Sequence, residues 1–157
     1  MLNAISTLGI TVGYCVETTA GTRPSGGFTT IAEIRDIPEI GNIPDALDAT
    51  PLEETVMRRY IAGLADTGGV ITLTANMSDT LQTAWSTCVS AAETAAASTP
   101  AKATWFEIKS PKLTKSYFFS GMPIALGYAG SSVNAVQDAS LNIMPNGVAG
   151  WQSKTTT

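Results

Sequence analysis

The chain has 157 residues, a net charge of −4, only 14% charged residues and no histidine. A domain of this length buries about 70% of its unfolded surface, so its folding calls for neither a metal nor a disulfide. The negative balance argues against a nucleic-acid grip, which needs clustered Lys and Arg. The missing histidine removes the commonest general base, most zinc sites and the usual Ser or Cys triads.

Ordinary soluble domains carry about 25% charged residues. Here Thr, Ser, Ala and Gly fill the difference, and such a surface suits permanent packing against neighbours. Cys15 and Cys88 stand among apolar or small residues without a CxxC pattern. Both are expected to be buried free thiols, which implies folding in a reducing cytoplasm. No apolar run reaches the length of a membrane span, and no secretory signal is expected at the start.

In chain order, residues 9–19 are rich in β-branched residues and predict a strand. A turn-rich loop follows over 21–27. Residues 28–37 predict a second strand, bulged because Phe28, Ile31, Ile34 and Ile37 do not alternate cleanly. Residues 38–55 differ in kind. Pro38, Pro44 and Pro51 exclude a regular helix or a central strand, so this is a long loop. Yet Ile40, Ile43, Leu47 and Leu52 punctuate it. Two readings stand: these aliphatics fold back on the domain's own core, or they dock into another subunit.

Residues 56–62 predict a strand carrying Arg58 and Arg59, and 63–69 a glycine-rich turn. Residues 70–76 alternate well, with Ile71, Leu73 and Ala75 on one face. Over 78–98 the spacing of Leu81, Trp85, Cys88, Ala92 and Ala95 is 4, 3, 4 and 3, which predicts an amphipathic helix with this stripe facing the core. Ser78 or Asp79 caps its start, and Pro100 ends it. Strands are predicted again at 103–109, at 116–126 with a break near Gly121 and Pro123, and at 135–144. The domain is taken as 1–145, and residues 146–157 as a C-terminal tail that neighbours would order, with Trp151 a docking residue or one packed on its own domain. The sum is a mainly β (α+β) chain: a β-sandwich or partly closed barrel with one flanking helix.

No catalytic, cofactor or metal site is read from the chain. GxGxxG and P-loop patterns are absent. Asp45 with Asp48, and Glu53 with Glu54, are the acidic pairs, but they share one loop where glycosidases need opposed carboxylates. Asp45 and Asp48 also lack an EF-hand context for calcium. Charge is uneven: nine acids against three arginines over 33–79 give −6, and five lysines against two acids over 101–157 give +3. Solvated faces explain this simply. A head-to-tail polymer with an acidic end meeting a basic end is the alternative.

The run Ile37-Pro38, Pro44-Asp45, Thr50-Pro51-Leu52-Glu53, then Tyr60-Ile61-Ala62-Gly63-Leu64-Ala65-Asp66-Thr67-Gly68, Ala75-Asn76 and the early helical Trp85 resembles the tail tube proteins of siphophages, phages with long non-contractile tails, especially those infecting low-GC Gram-positive bacteria. The resemblance is dense over about half the chain. It implies a β-sandwich with a flanking helix that assembles as hexameric rings. The rings would stack into a tube around a tape measure protein, bounded by tail terminator and distal tail or baseplate proteins. DNA would pass through the acidic lumen without specific binding. The location implied is the virion tail, assembled in the host cytoplasm, with no membrane insertion. The loop at 38–55, with Ile40, Ile43, Pro44, Leu47, Pro51 and Leu52, would be the inter-subunit element. The tube protein of type VI secretion shares that fold. Competing readings are a tail terminator or distal tail protein, which caps and does not propagate, and a secreted β-sandwich module binding carbohydrate through aromatics such as Trp105, Tyr117 and Phe119.

Overall fold

Alternating and β-branched segments build most of the molecule as antiparallel strands. The computed structural model describes residues 4–147 and 149–155. Among the described residues, in chain order, lie β1 (Thr11–Val16), β2 (Thr29–Ile31), β3 (Ile34–Asp36), β4 (Ile43–Asp48), β5 (Tyr60–Asp66) and β6 (Ile71–Asn76). The helix α1 (Asp79–Ala96) follows, then β7 (Thr104–Lys109), β8 (Lys115–Pro123), β9 (Asp138–Pro145) and β10 (Gly150–Ser153). The chain is thus mainly β with one helix, as the sequence predicts.

Eight strands share one sheet in the order β2-β1-β7-β8-β9-β6-β3, with β10 also on β8. The first half of β8 pairs with β7 and β10, and its end pairs with β9. Strands β2 and β3 stand at the two ends of this order, yet only Ala32 and Glu33 separate them. Three residue steps span at most about 11 Å, so the sheet must curl until its edges nearly meet. Glu33 makes that step with φ 68°, in the left-handed region. The segment 28–37 is therefore two short strands on opposite sheet edges, where one bulged strand was predicted.

Helix α1 packs on the curled sheet against β8, β1 and β2. Ser78 caps it by accepting a hydrogen bond from Leu81 N at 3.1 Å. Leu81, Trp85, Cys88, Ala92 and Ala95 are buried as the 4-3-4-3 spacing predicts, and Val89 joins them. Trp85, 1% exposed, also donates its indole N–H to the Ile124 carbonyl at 2.9 Å. Opposite lie the inward faces of β6 (Ile71, Leu73, Ala75) and β9 (Ala139, Leu141, Ile143). Phe106 and Phe119, cross-strand partners, stack at 5.3 Å. Each such side chain contributes about 1.5–3 kcal/mol on burial. Both cysteines are free. Cys88 is buried, and burial pushes its thiol up to about 12. Cys15 is half-buried, not fully buried as expected.

Three further predictions are corrected. Strand β8 ends at Pro123, where a break was expected, but runs unbroken through Gly121; β9 packs so closely there that only glycine fits, since a Cβ would lie 2.6 Å from Ile143 Cγ2. The strand expected at 56–62 begins later, at Tyr60, and the turn lies past Asp66. The segment taken as a tail carries β10, whose Trp151 opposes Tyr117 with ring centroids 5.4 Å apart. Residues 148, 156 and 157 of that segment lie outside the described residues.

Candidate assembly interface

The chain changes character at Asn42. Before it, Ile37 and Ile40 are half-buried against the core. Asn42 itself is fastened to the body, donating through Nδ2 to the Ala149 carbonyl at 2.6 Å. After it, β4 and β5 form a two-stranded sheet of their own. The predicted loop 38–55 therefore contains a strand. Pro44 is tolerated because β4 pairs on one side only and Pro44 lies next to the strand's register shift, and edges and bulges are where a residue without an N–H fits a sheet.

This hairpin is an arm with apolar side chains in solvent on both faces. The register sets Leu47 opposite Ile61 on one face and Asp48 opposite Tyr60 on the other. Exposure is 51% at Leu47, 58% at Ile61 and 55% at Tyr60. Ile43, Leu52, Val56, Met57 and Leu64 are exposed further still, Leu52 completely. The strands fall out of register between Pro44 and Ala46, where β5 spends Gly63 and Leu64 against Asp45 alone. Gly63 eases the close approach there, since a Cβ would sit 3.2 Å from the Asp45 carbonyl oxygen.

The tip holds its own shape. The Asp48 carboxylate accepts from Thr50 Oγ1 at 2.5 Å and from Thr50 N at 2.9 Å. These two bonds hold the Asp48 carboxyl below its ordinary range. Thr50 Oγ1 in turn accepts from Arg59 N at 2.9 Å. Glu54 accepts from Val56 N and pairs with Arg59 at 3.0 Å. Bonding from the Val56 amide first, then from Met57, Arg59 and Thr55, outweighs desolvation and lowers the Glu54 carboxyl.

An isolated two-stranded hairpin is marginally stable in water, and a contiguous apolar surface of this kind marks an interaction site. Of the residues singled out in the sequence, Ile43, Pro44, Leu47, Pro51 and Leu52 lie together on the arm, and all are exposed. Ile40 does not join them, because it packs on the domain's own core. Val56, Met57, Tyr60, Ile61 and Leu64 were missed as arm residues. Their signal is an apolar stretch that lacks the period-2 alternation of a half-buried strand.

Asp45 and Asp48 do not form a calcium site: three positions apart in a strand they face opposite sides, and Asp48 is engaged by Thr50. Among the described residues no group of three metal-ligating side chains occurs. The aromatics considered for carbohydrate do not share a face either. Phe119 opposes Phe106 in the core, Tyr117 opposes Ile108, and Trp105 opposes Ser120 on the other face. Trp105 instead donates to the Glu17 carboxylate at 2.8 Å. No helix among the described residues is long and apolar enough to cross a membrane.

The fold has counterparts among solved structures. A chain of the anti-feeding prophage baseplate, from a six-fold symmetrised cryo-EM structure, aligns with a TM-score of 0.61 at 10% identity, covering 98% of both chains. A chain from the tail of an empty gene transfer agent particle, refined helically with C6 symmetry, aligns at 0.60 and 18% identity over 96% of this chain and all of that one. A chain from the native gene transfer agent virion aligns at 0.59 and 16% identity with the same coverage. At these identities the likeness is one of fold. No protein-family model matches the chain, and no curated protein sequence does.

Proposed function

We propose that the chain is a structural subunit of a bacteriophage-type tail, and within it a subunit of the tail tube. Copies close into rings, hexameric as in the six-fold particles whose chains share the fold. The rings stack into a hollow conduit for DNA. The tape measure, terminator and distal tail or baseplate proteins are the partners such a tube requires, and the virion tail is its place. The role is geometric and not catalytic.

The observation that carries this reading is the arm. A monomer gains nothing from holding eight large apolar side chains of one hairpin in water. A polymer gains about 25 cal/mol for each Å² of that surface it covers. The free edges of β4 and β5 are also open to pairing, which in a monomer would be an aggregation hazard. Docking in a neighbour removes both.

Sedimentation velocity over a rising concentration series tests the proposal. Concentration-dependent growth to large, uniform species is expected. A species that adds one or a few copies and then stops would favour a terminator or distal tail protein, and a monomer at every concentration, with and without the tape measure and distal tail proteins, would overturn the tube reading.

A further inference from the structure

The arm is acidic as well as apolar. Asp45, Asp48, Glu53, Glu54 and Asp66 stand against Arg58 and Arg59, a net −3 over residues 43–66. A surface of opposite character lies at the start of β8. Lys109 ends β7, Lys115 opens β8, and Lys112 sits in the turn between them. Lys154 follows Ser153, whose register partner is Lys115. Lys112 and Lys115 are exposed. Of these four lysines, only Lys109 has a carboxylate partner among the described residues, Glu107 at 3.8 Å.

This surface is apolar too. Gly9 lies against the same turn, its Cβ position 3.1 Å from Pro111 Cγ. Its neighbour Leu8 is 79% exposed. The lysines are therefore accompanied by a bare aliphatic, as the acids of the arm are.

The two surfaces do not meet within one chain. The arm is rooted beside the far end of β8: Asn42, Ala65 and Asp66 line one cleft with Pro145 and Asn146, where Asn146 N donates to the Ser120 carbonyl and Gly121 pairs with Pro145. Five strand steps separate Lys115 from Ser120, about 17 Å. The strands of the arm pair only with each other, and its large apolar residues stay exposed.

We propose that the lysine-rich β7–β8 turn, with Leu8, is the docking surface for the arm of a second copy of this chain. The inference rests on the reading that the chain self-assembles, and it names the receiving side. The two surfaces are different, so the contact is heterologous: each copy offers an arm and a turn, and addition continues until symmetry closes it. Opposite charges steer the encounter and fix its direction, because two arms or two turns repel.

Two variants that each keep one surface separate this inference from self-assembly as such. Leu47→Ser with Leu52→Ser and Ile61→Ser disables the arm and leaves the lysines. Lys112→Glu with Lys115→Glu and Lys154→Glu disables the turn and leaves the arm. All these side chains lie at the surface, and circular dichroism and thermal melting verify that both variants fold; Lys112→Gln with Lys115→Gln serves if the reversal does not. Each variant alone is expected to be monomeric by sedimentation. Mixed, they should form a 1:1 complex that stops there, weakened about tenfold or more between about 50 and 500 mM salt. Adding Asp45→Lys and Glu53→Lys to the lysine-reversed chain should restore growth. If the lysine-reversed chain assembles like its parent, the docking surface lies elsewhere and self-assembly still stands. If the parent assembles but the mixture gives no complex, the pairing is wrong. If neither occurs, both readings fall.

Discussion

Leu47 and Ile61 lie directly opposite each other across the β4–β5 hairpin, and both are more than half exposed. A cross-strand aliphatic pair ordinarily marks the buried face of a sheet. Here no described residue buries it. In the proposed assembly a neighbouring copy covers this pair.

The boundary at Asn42 gives the first prediction. Ile40 packs on the core, whereas Ile43, one residue past Asn42 and its hydrogen bonds with Ala149, is 68% exposed. Ile40→Ser is expected to lower unfolding stability by about 1–3 kcal/mol. Ile43→Ser together with Leu47→Ser should change it by no more than about 0.5 kcal/mol each, while abolishing assembly. Urea unfolding of the monomer and sedimentation of the concentrated protein measure the two effects separately.

Glu17 makes stability depend on pH. It is 5% exposed and lies just under the surface. Burial acts to raise its carboxyl, but hydrogen bonds from Trp105 Nε1, Ala103 N and Gly21 N together outweigh burial and hold it below the ordinary glutamate value. A depressed folded value means that the unfolded chain takes up the proton first. The stabilisation is complete above the unfolded value and is lost as pH falls through the folded one. Glu17→Gln should cost about 1–2 kcal/mol at pH 7. In urea titrations that gap should narrow as pH drops below the usual glutamate range.

Gly121 keeps β8 continuous where β9 crosses close to it. A methyl there would lie 2.6 Å from Ile143 Cγ2 and 2.8 Å from the Met144 carbonyl oxygen. Gly121→Ala is expected to destabilise by about 1–3 kcal/mol. Gly127→Ala is the control, since nothing lies within 4 Å of its Cβ position. Thermal melting should separate the two.

What could be read from the sequence follows from which residues have a wet side and a dry side. Strands β6 and β9 each bury one face and expose or half-expose the other, so their alternation showed, and α1 was legible from its 4-3-4-3 stripe. The arm buries neither face, so β4 and β5 carry no alternation to read. Pro44 then argued against a strand although it excludes only a doubly paired one. Strand β10 is short, begins with Gly150 and leaves Trp151 to Ser153 exposed, so it read as a tail. The division of 28–37 hinges on Glu33 taking a left-handed conformation that glycine or asparagine would have advertised. Of the candidate interface, the aliphatics at Ile43, Leu47 and Leu52 were visible because they are out of place in a loop. Those from Val56 to Leu64 were not, because a strand in the body explains them equally well.

Negative-stain electron microscopy of the purified protein, concentrated beside the Leu47→Ser, Leu52→Ser and Ile61→Ser chain, is the most direct measurement. Hollow tubes or rings of uniform width are expected from the parent, and only small monodisperse particles from the variant. Tubes from both would show that the arm does not join the subunits. Small particles from both, with tape measure and distal tail proteins added, would contradict a tube subunit altogether.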